Sequence, residues 1–238
     1  MALTENTMKY WAPDPKLVKW LTDTVIPKDA KVLEIGPGTV PFARANAYVD
    51  FVDIPNLENF TKLDAASGKL PFEDKSFDFI YCRHVLEDSW NPFNLCEEMS
   101  RVGKAGFIET PSPIAELGRG VDGGSPPFRG YHHHRWIIWA ANRELRFVTK
   151  YPLIEYIRFE EAQIDELLKQ QRYWNTHFLW EDSINVAHRQ SPLDYNIPRD
   201  YALLLKDAME ASKNFTDELY FSVGGGIGNP LTGDQSNG

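Results

Sequence analysis

Short apolar runs alternate with segments of helical periodicity along the first half of the chain. Val32, Leu33 and Ile35 are apolar and mostly β-branched, which is typical of a strand buried on both faces of a parallel sheet. The same kind of pattern predicts five strands in this half. They span residues 31–36, 48–54, 61–64, 76–82 and 105–110.

Helices are predicted where capping residues and a 3.6-residue period coincide. Asp14-Pro15 is an N-cap followed by proline at the first helical position, and this helix ends before Pro27. Asn91–Gly103 has the same kind of start, an apolar stripe and a terminal glycine. Thr39–Ala45 is predicted to begin a short helix after the first strand. This alternation indicates an α/β fold with a parallel sheet and helices on both faces.

The remainder of the chain follows a different pattern. Pro111–Gly130 is rich in proline and glycine, which predicts an irregular excursion of the kind that is usually functional or disordered. Two strands are predicted next, over Trp136–Trp139 and Leu145–Lys150, with a helix over 134–142 as the alternative. Helical periodicity returns over Glu160–Trp174 and Asp200–Lys213.

Composition narrows the class of protein. A length of 238 residues is enough for one large domain with an appendage, and the net charge of −9 argues against nucleic acid as the main partner. Cys82 and Cys96 indicate neither a disulfide framework nor a zinc site, so a reducing, cytoplasmic compartment is expected. The chain shows no signal-peptide pattern and no apolar run near the roughly 20 residues of a membrane span, so no membrane association is expected.

Candidate binding residues follow several of the predicted strands. In an open α/β sheet, ligands bind outside the carboxyl ends of the strands. The turn Gly36-Pro37-Gly38 lets a ligand approach the backbone closely. Asp53 stands 17 positions after Gly36, near the roughly 20-residue offset at which an acid receives ribose hydroxyls. Asp64 is placed to accept a hydrogen bond from an adenine amine, and Arg83-His84 follows the fourth strand.

These motifs, in this order, resemble the class I S-adenosylmethionine-dependent methyltransferases, in particular their type 11 or UbiE-like branch. The resemblance covers about residues 30–111. It rests on VLEIGPG at 32–38, Asp53, Asp64, LPFEDKSFDFIYCRHVLED at 70–88, NPFNLCEEMSRV at 91–102 and GFIETP at 106–111. The sequence departs from the family pattern at Thr39-Val40-Pro41, where a further small residue is usual, and at Asp88, where a second His is frequent.

The resemblance implies that S-adenosylmethionine is the cofactor and that ten residues bind it. They are Glu34, Gly36, Pro37, Gly38, Asp53, Ile54, Asp64, Ala65, Arg83 and His84. Glu34, Gly36 and Gly38 would cradle the methionine end of the cofactor. Asp53 would bind the ribose hydroxyls, and Asp64 with Ala65 would hold the adenine. Arg83 and His84 would close the methionine side.

The resemblance also implies a doubly wound, mainly parallel, seven-stranded, Rossmann-like sheet with a helical C-terminal extension. Residues 1–30 would form an N-terminal cap helix, and residues 31–152 the cofactor-binding domain, including the excursion at 111–135. Residues 153–222 would form the helical extension packed on the same domain, and residues 223–238 a mobile tail.

Three consecutive histidines, His132, His133 and His134, are the main candidates for catalysis, together with His84. In an extended segment His132 and His134 lie on one face, but such a pair needs a third ligand to hold a metal. Acid/base, metal-binding and purely structural interpretations remain open. We expect an acid/base residue facing the cavity and no metal, with His134 favoured because it lies near Trp136, where burial resumes.

The predicted function is methyl transfer from S-adenosylmethionine to a small-molecule acceptor, by O- or N-methylation, with a sugar or another metabolite as an example. The alternative is a non-catalytic regulatory module that binds S-adenosylmethionine or S-adenosylhomocysteine. A short-chain dehydrogenase is disfavoured because the chain has no Tyr-x-x-x-Lys pair. Ser125–Phe128 resembles the catalytic tetrapeptide of amino-directed DNA methyltransferases but follows the fifth strand instead of the fourth, so we interpret it as a loop.

Overall fold

Helices and strands alternate along most of the chain in the computed structural model, which describes residues 13–123, 128–190 and 196–224. The α-helices are α1 (Pro15–Trp20, continued by a π-helix over Leu21–Val25), α2 (Pro92–Val102), α3 (Pro113–Leu117), α4 (Glu161–Leu168) and α5 (Ile197–Gly224). The first strands are β1 (Val32–Ile35), β2 (Ala47–Asp50), β3 (Phe60–Lys62), β4 (Phe77–Arg83) and β5 (Gly103–Pro111). The later strands are β6 (Trp136–Ala141), β7 (Glu144–Thr149), β8 (Asn175–Glu181) and β9 (Val186–His188), and 3-10 turns span Pro152–Tyr156 and Gln171–Tyr173.

The main sheet has the strand order β3-β2-β1-β4-β5-β8. The first five strands are parallel, and β8 runs antiparallel to β5. The predicted mainly parallel α/β class is confirmed, but this sheet has six strands, and the predicted seven is wrong among the described residues. A tight turn at Asn142 and Arg143, both with positive φ, pairs β6 with β7, and these two form a separate sheet with β9. The helix considered over 134–142 does not form.

Helices cover both faces of the main sheet. On one face, α2 buries Leu95, Cys96, Met99 and Val102 completely. Burial of a leucine, methionine or valine side chain stabilises the fold by about 1.5–3 kcal/mol. On the other face, α1 and the π-helix pack together with the end of α5. This packing holds the strands in place, and with them the carboxyl ends at which ligands bind in such sheets.

The connection from β1 to β2 contains no helix, so the helix predicted over Thr39–Ala45 is wrong. Pro41 has no N–H group to give to a helical ladder. The following N–H, that of Phe42, instead donates to the Glu34 carboxylate at 2.7 Å. The Phe42 ring stacks on Tyr81 with ring centroids 3.9 Å apart. Side-chain contacts thus replace the helical hydrogen bonds of this loop.

The C-terminal third is not wholly helical. The helix predicted over Glu160–Trp174 ends at Leu168, and β8 then pairs with the free edge of β5. The helix predicted over Asp200–Lys213 is longer, running over Ile197–Gly224. A sheet edge supplies a row of backbone partners that local periodicity does not reveal.

Some predictions fall outside the described residues. These are the first twelve residues of the N-terminal segment, Ser125–Pro127 of the tetrapeptide, and all of the C-terminal tail beyond residue 224. No helix within the described ranges is long and apolar enough to cross a bilayer.

Candidate functional site

A cavity of about 750 Å³ opens where β1, β2, β3 and β4 reach their carboxyl ends. Its size is in the range that holds a cofactor-sized ligand. The cavity is lined by six of the predicted cofactor residues: Gly36, Gly38, Asp53, Ile54, Asp64 and Ala65. His84, predicted for both roles, lines it as well. The strand ends therefore bring together residues that are up to 48 positions apart in the sequence.

The glycine turn has the backbone conformation that its residues predict. Gly36 has φ +73° and its N–H donates to Val49 O at 2.9 Å. A Cβ at Gly36 would lie 2.3 Å from Val85 Cγ2, so only glycine fits. Gly38 has φ +53°, and apart from its chain neighbours no heavy atom of the described residues lies within 4 Å of its Cβ position, which leaves open space at the cavity wall.

Two aspartates, not one, line the cavity at the end of β2, namely Asp50 as the last residue of the strand and Asp53 in the loop that follows. The strand predicted over Tyr48–Ile54 ends at Asp50, so Asp53 and Ile54 lie in the following loop. Asp50 also lines the cavity, and its Oδ1 accepts from Val52 N at 3.0 Å. Sequence reasoning missed Asp50 because the strand end was placed too late, although the apolar-polar alternation already marks it.

The loops after β3 and β4 meet beside the cavity. Asp64 accepts from Ala66 N at 3.0 Å, and Trp90 Nε1 donates to its other oxygen at 3.4 Å. Trp90 keeps 59% of its surface exposed. It therefore offers an aromatic ring at the cavity wall beside Asp64 and Ala65.

Glu34, Pro37 and Arg83 do not line the cavity. Glu34 is buried, and Arg83 is turned to Glu109, donating from Nε and Nη2 at 2.9 and 2.6 Å. Glu34 and Arg83 instead hold the cavity's surroundings, because Glu34 accepts from Phe42 N in the loop after β1 and Arg83 ties the end of β4 to β5.

Burial raises the pKa of Glu34 to about 7, although the hydrogen bond from Phe42 N opposes the rise. The unfolded state releases this proton from about pH 4.5 upward, so folding stability falls as the pH rises from 4.5 to 7. Glu34→Gln keeps an acceptor for Phe42 and removes the ionisation. We expect the variant to be more stable than the parent by up to about 3 kcal/mol at pH 8, and equal to it at pH 4.5. Urea unfolding at both values measures this, and an equal difference at both would contradict it.

His84 lies between two carboxylates at the cavity wall, with φ +52°. Its Nδ1 is 3.2 Å from Glu87 Oε1 and its Nε2 is 3.2 Å from Glu109 Oε1. Burial lowers the pKa of His84, but these carboxylates outweigh burial and raise the pKa to about 9. This arrangement disfavours the predicted acid/base role, because carboxylates facing both ring nitrogens stabilise the imidazolium, which carries no free site for a proton.

The three histidines point to different surroundings because the segment is a turn and not an extended strand. His133 lines the cavity. His132 is exposed, with Nδ1 3.7 Å from Asp122. His134, the favoured residue, is buried, and its Nδ1 lies 2.5 Å from Glu116 Oε1. The preference for His134 at the cavity wall is thus corrected in favour of His133.

Glu116 is a fully buried carboxylate that the sequence did not single out. Lys150 Nζ donates to its Oε2 at 2.5 Å, opposite the contact with His134. Burial raises the pKa of Glu116, but His134 and the Lys150 charge outweigh burial and hold the pKa below its ordinary value. Glu116 is therefore ionised and fixes the His134 ring.

Asp88 stands beside His133 at the same cavity, and we call these two residues the histidine wall. Asp88 Oδ1 lies 3.9 Å from His133 Nε2. Burial and the neighbouring Glu87 charge raise the pKa of Asp88. Residue 88 is a position where the sequence departs from the family pattern, and the fold shows that its carboxylate meets the histidine segment.

A family model described as a methyltransferase domain, of type 11, matches residues 16–107. This stretch of the chain is therefore similar to a methyltransferase domain of type 11. S-adenosylmethionine is the cofactor of this class of domain. The matched stretch includes the glycine turn, Asp50, Asp53, Asp64 and the histidine-wall residue Asp88, but not residues 131–135.

Several solved structures are similar over part of the chain. An S-adenosylmethionine-dependent methyltransferase from Mesorhizobium loti is 16% identical, with 43% of this chain and 55% of that chain covered and a TM-score of 0.35. The YcgJ protein from Bacillus subtilis is 22% identical, with 48% and 61% covered and a TM-score of 0.35. A complex with the Haloferax volcanii Trm112 methyltransferase activator contains a chain that is 18% identical, with 40% and 51% covered and a TM-score of 0.31.

The chain spans about half the length of the Haloferax and Mesorhizobium structures. No protein with curated annotation matches it.

Proposed function

We propose that this chain binds S-adenosylmethionine in the cavity and transfers its methyl group to a small-molecule acceptor, by O- or N-methylation, with a sugar or another metabolite as the acceptor class. One observation carries the proposal. The glycine turn, Asp53 and Asp64 line the same cavity as the histidine wall. We call the part beside the glycine turn and the two aspartates the cofactor half, and the histidine wall forms the other, polar half.

The cofactor half fits S-adenosylmethionine in its chemistry. Gly38 leaves open space for the methionine end, and carboxylates at Asp50 and Asp53 are acceptors for ribose hydroxyls. Asp64, with Ala65 and Trp90, offers an acceptor and an apolar surface for adenine. The cofactor supplies an electrophilic methyl group on a sulfonium. What the protein has to supply is alignment of the acceptor and exclusion of water.

The histidine wall is the part of the cavity proposed to receive the acceptor. β5 ends at the carboxyl edge of the sheet, so the excursion that follows it starts beside the ligand space. His133, at the end of this excursion, would orient an acceptor hydroxyl or amine and take its proton. The net charge of −9 favours a small molecule over nucleic acid. Cys82 and Cys96 are free thiols, in keeping with a cytoplasmic location.

Cofactor binding is tested by calorimetry with S-adenosylmethionine and S-adenosylhomocysteine. We expect low-micromolar dissociation constants, on the order of −8 kcal/mol. Asp53→Ala should weaken binding by about 2–3 kcal/mol, because two hydroxyl bonds to a charged acceptor are lost. Asp50→Ala, at the end of the preceding strand, reports whether this second carboxylate shares the role.

No heat with either sulfur ligand, together with binding of a nicotinamide dinucleotide, would overturn the cofactor assignment. Cofactor binding without S-adenosylhomocysteine release across a panel of hydroxyl and amine acceptors would instead favour a regulatory binding module.

A further inference from the structure

Hydrogen bonds join residues 87–89 to residues 135–136 beside the histidine wall. Arg135 N and Trp136 N both donate to Glu87 O, at 2.8 and 3.3 Å. Trp136 Nε1 donates to Ser89 O at 2.8 Å, and Arg135 Nε donates to Asp88 O at 3.2 Å. These bonds fix the backbone on both sides of Asp88 against the residues that follow His134. The proximity of Asp88 to the two histidines is thus built into the fold.

The potential ligand atoms of Asp88, His133 and His134 all lie within 4.8 Å of one another. Atoms bound at about 2.0–2.2 Å to one tetrahedral ion are closer together than that, so a small closure is needed. The side chains of His133 and Asp88 are 58% and 46% exposed, so both are free to rotate toward an ion. His134, in contrast, is buried and fixed.

His134 is held in the manner of a metal-ligating histidine. Its Nδ1 contacts the Glu116 carboxylate, so Nε2 is the nitrogen directed to a ligand. A carboxylate on the second nitrogen is the usual support of a histidine that binds a metal, because it sets the tautomer and the ring orientation. Lys150 engages the other oxygen of Glu116, so Glu116 serves as this support and not as a ligand.

The charges around the cluster favour a cation. Next to Asp88, Glu87 is buried; its Oε1 faces the charged His84, and its Oε2 has no hydrogen-bond partner among the described residues. The Lys150 charge is taken up by Glu116 and the carbonyl of Tyr131. Two imidazole nitrogens and one carboxylate form a donor set for a borderline divalent ion such as Zn²⁺, and three protein ligands leave a position open.

We propose that Asp88, His133 and His134 bind one divalent transition-metal ion, of the Zn²⁺ kind, at the cavity wall. Its open coordination position faces the space proposed for the methyl acceptor. Resting on the proposed function, this assigns an acceptor class, namely molecules with a hydroxyl or carbonyl oxygen that coordinates the ion. A metal-bound hydroxyl has a lowered pKa, so it releases its proton to solvent, and His133 then serves as a ligand and not as the base. The acceptor oxygen forms a bond to the methyl carbon while the carbon–sulfur bond breaks, which leaves S-adenosylhomocysteine as a neutral thioether.

The test is a titration of the full-length, tag-free protein with Co²⁺, read by its visible absorption, followed by competition with Zn²⁺. We expect one Co²⁺ per chain, displaced by Zn²⁺. His133→Ala and Asp88→Ala should each weaken binding at least tenfold, and both side chains are exposed enough to be removed without unfolding. His132→Ala is the matched control from the same run of histidines and should leave binding unchanged.

Absence of a single Co²⁺ site in the parent, unchanged binding in His133→Ala or Asp88→Ala, or an equal loss in His132→Ala would each overturn the metal site. Calorimetry with S-adenosylhomocysteine on the same samples keeps the two proposals apart. Cofactor binding without a cobalt site rejects the metal alone, whereas a cobalt site without cofactor binding rejects the proposed function alone.

Discussion

Replacing His133 by alanine should lower methyl-transfer turnover by roughly 10²–10⁴-fold and leave the affinity for S-adenosylmethionine nearly unchanged. The reason is that His133 lines the cavity at the histidine wall, away from the glycine turn and from Asp53, which are proposed to bind the cofactor. Turnover is measured as S-adenosylhomocysteine release once an acceptor is found, and cofactor affinity by calorimetry.

His132→Ala is the control, because His132 is exposed and contacts Asp122 instead of the cavity. Full activity in His133→Ala would leave the histidine run with a purely structural role. A chelator separates the two chemical explanations. If His133 acts as a base alone, activity survives the chelator, whereas a metal-bound acceptor site loses activity and regains it with Zn²⁺.

Glu109→Gln should destabilise the fold by about 3–5 kcal/mol at pH 7, because it leaves buried positive charge without its partner. Glu109 is 2% exposed and accepts from Arg83 at 2.6 Å. His84 Nε2 and His177 Nε2 lie 3.2 and 3.3 Å from its two oxygens. Burial raises the pKa of Glu109, but these partners outweigh burial and hold the pKa well below its ordinary value.

Urea unfolding measures the loss, and Glu166→Gln is the control. Glu166 pairs with Lys169 on the surface, where an ion pair contributes about 0–1 kcal/mol. A loss no larger than that of the control would contradict the prediction.

The same cluster predicts a pH dependence of folding stability. The folded-state pKa of His84, about 9, is above its unfolded value, so the stabilisation is fully present below pH 6.5 and is lost as the pH rises through 9. The total loss is about 3 kcal/mol for a shift of this size. Because Glu34 titrates near pH 7, the range from pH 7 to 9 isolates His84. Glu109→Gln should flatten the curve in this range, and parallel curves for parent and variant would contradict the assignment.

Local pattern was sufficient to predict that Gly36, Asp53 and Asp64 lie at one cavity. Each residue lies within three positions of the end of a parallel strand, and such strand ends meet at one edge of the sheet, so strand order was not needed to bring the three together. The apolar face and the capping residues of α2 could likewise be predicted from the sequence, because they depend on residues within one or two helical turns of each other. The predicted end of β2 was four residues too late, and the helix predicted over seven residues of the β1–β2 loop does not form, but neither error moved the cavity.

The residues of the histidine wall could be identified only from the tertiary structure. Periodicity does not show that β8 extends the main sheet while β6 and β7 leave it, because the partner of an edge strand is set by the rest of the fold. It does not show which of three adjacent histidines reaches the cavity, since a turn, unlike a strand, has no fixed alternation of faces. Nor does it join Asp88 to His133, which are 45 positions apart and meet because two N–H groups donate to Glu87 O. The sequence by itself thus determined the α/β class and the residues that the ends of β1, β2 and β3 bring to the cavity, whereas long-range packing and backbone pairing placed the groups proposed to act on the acceptor.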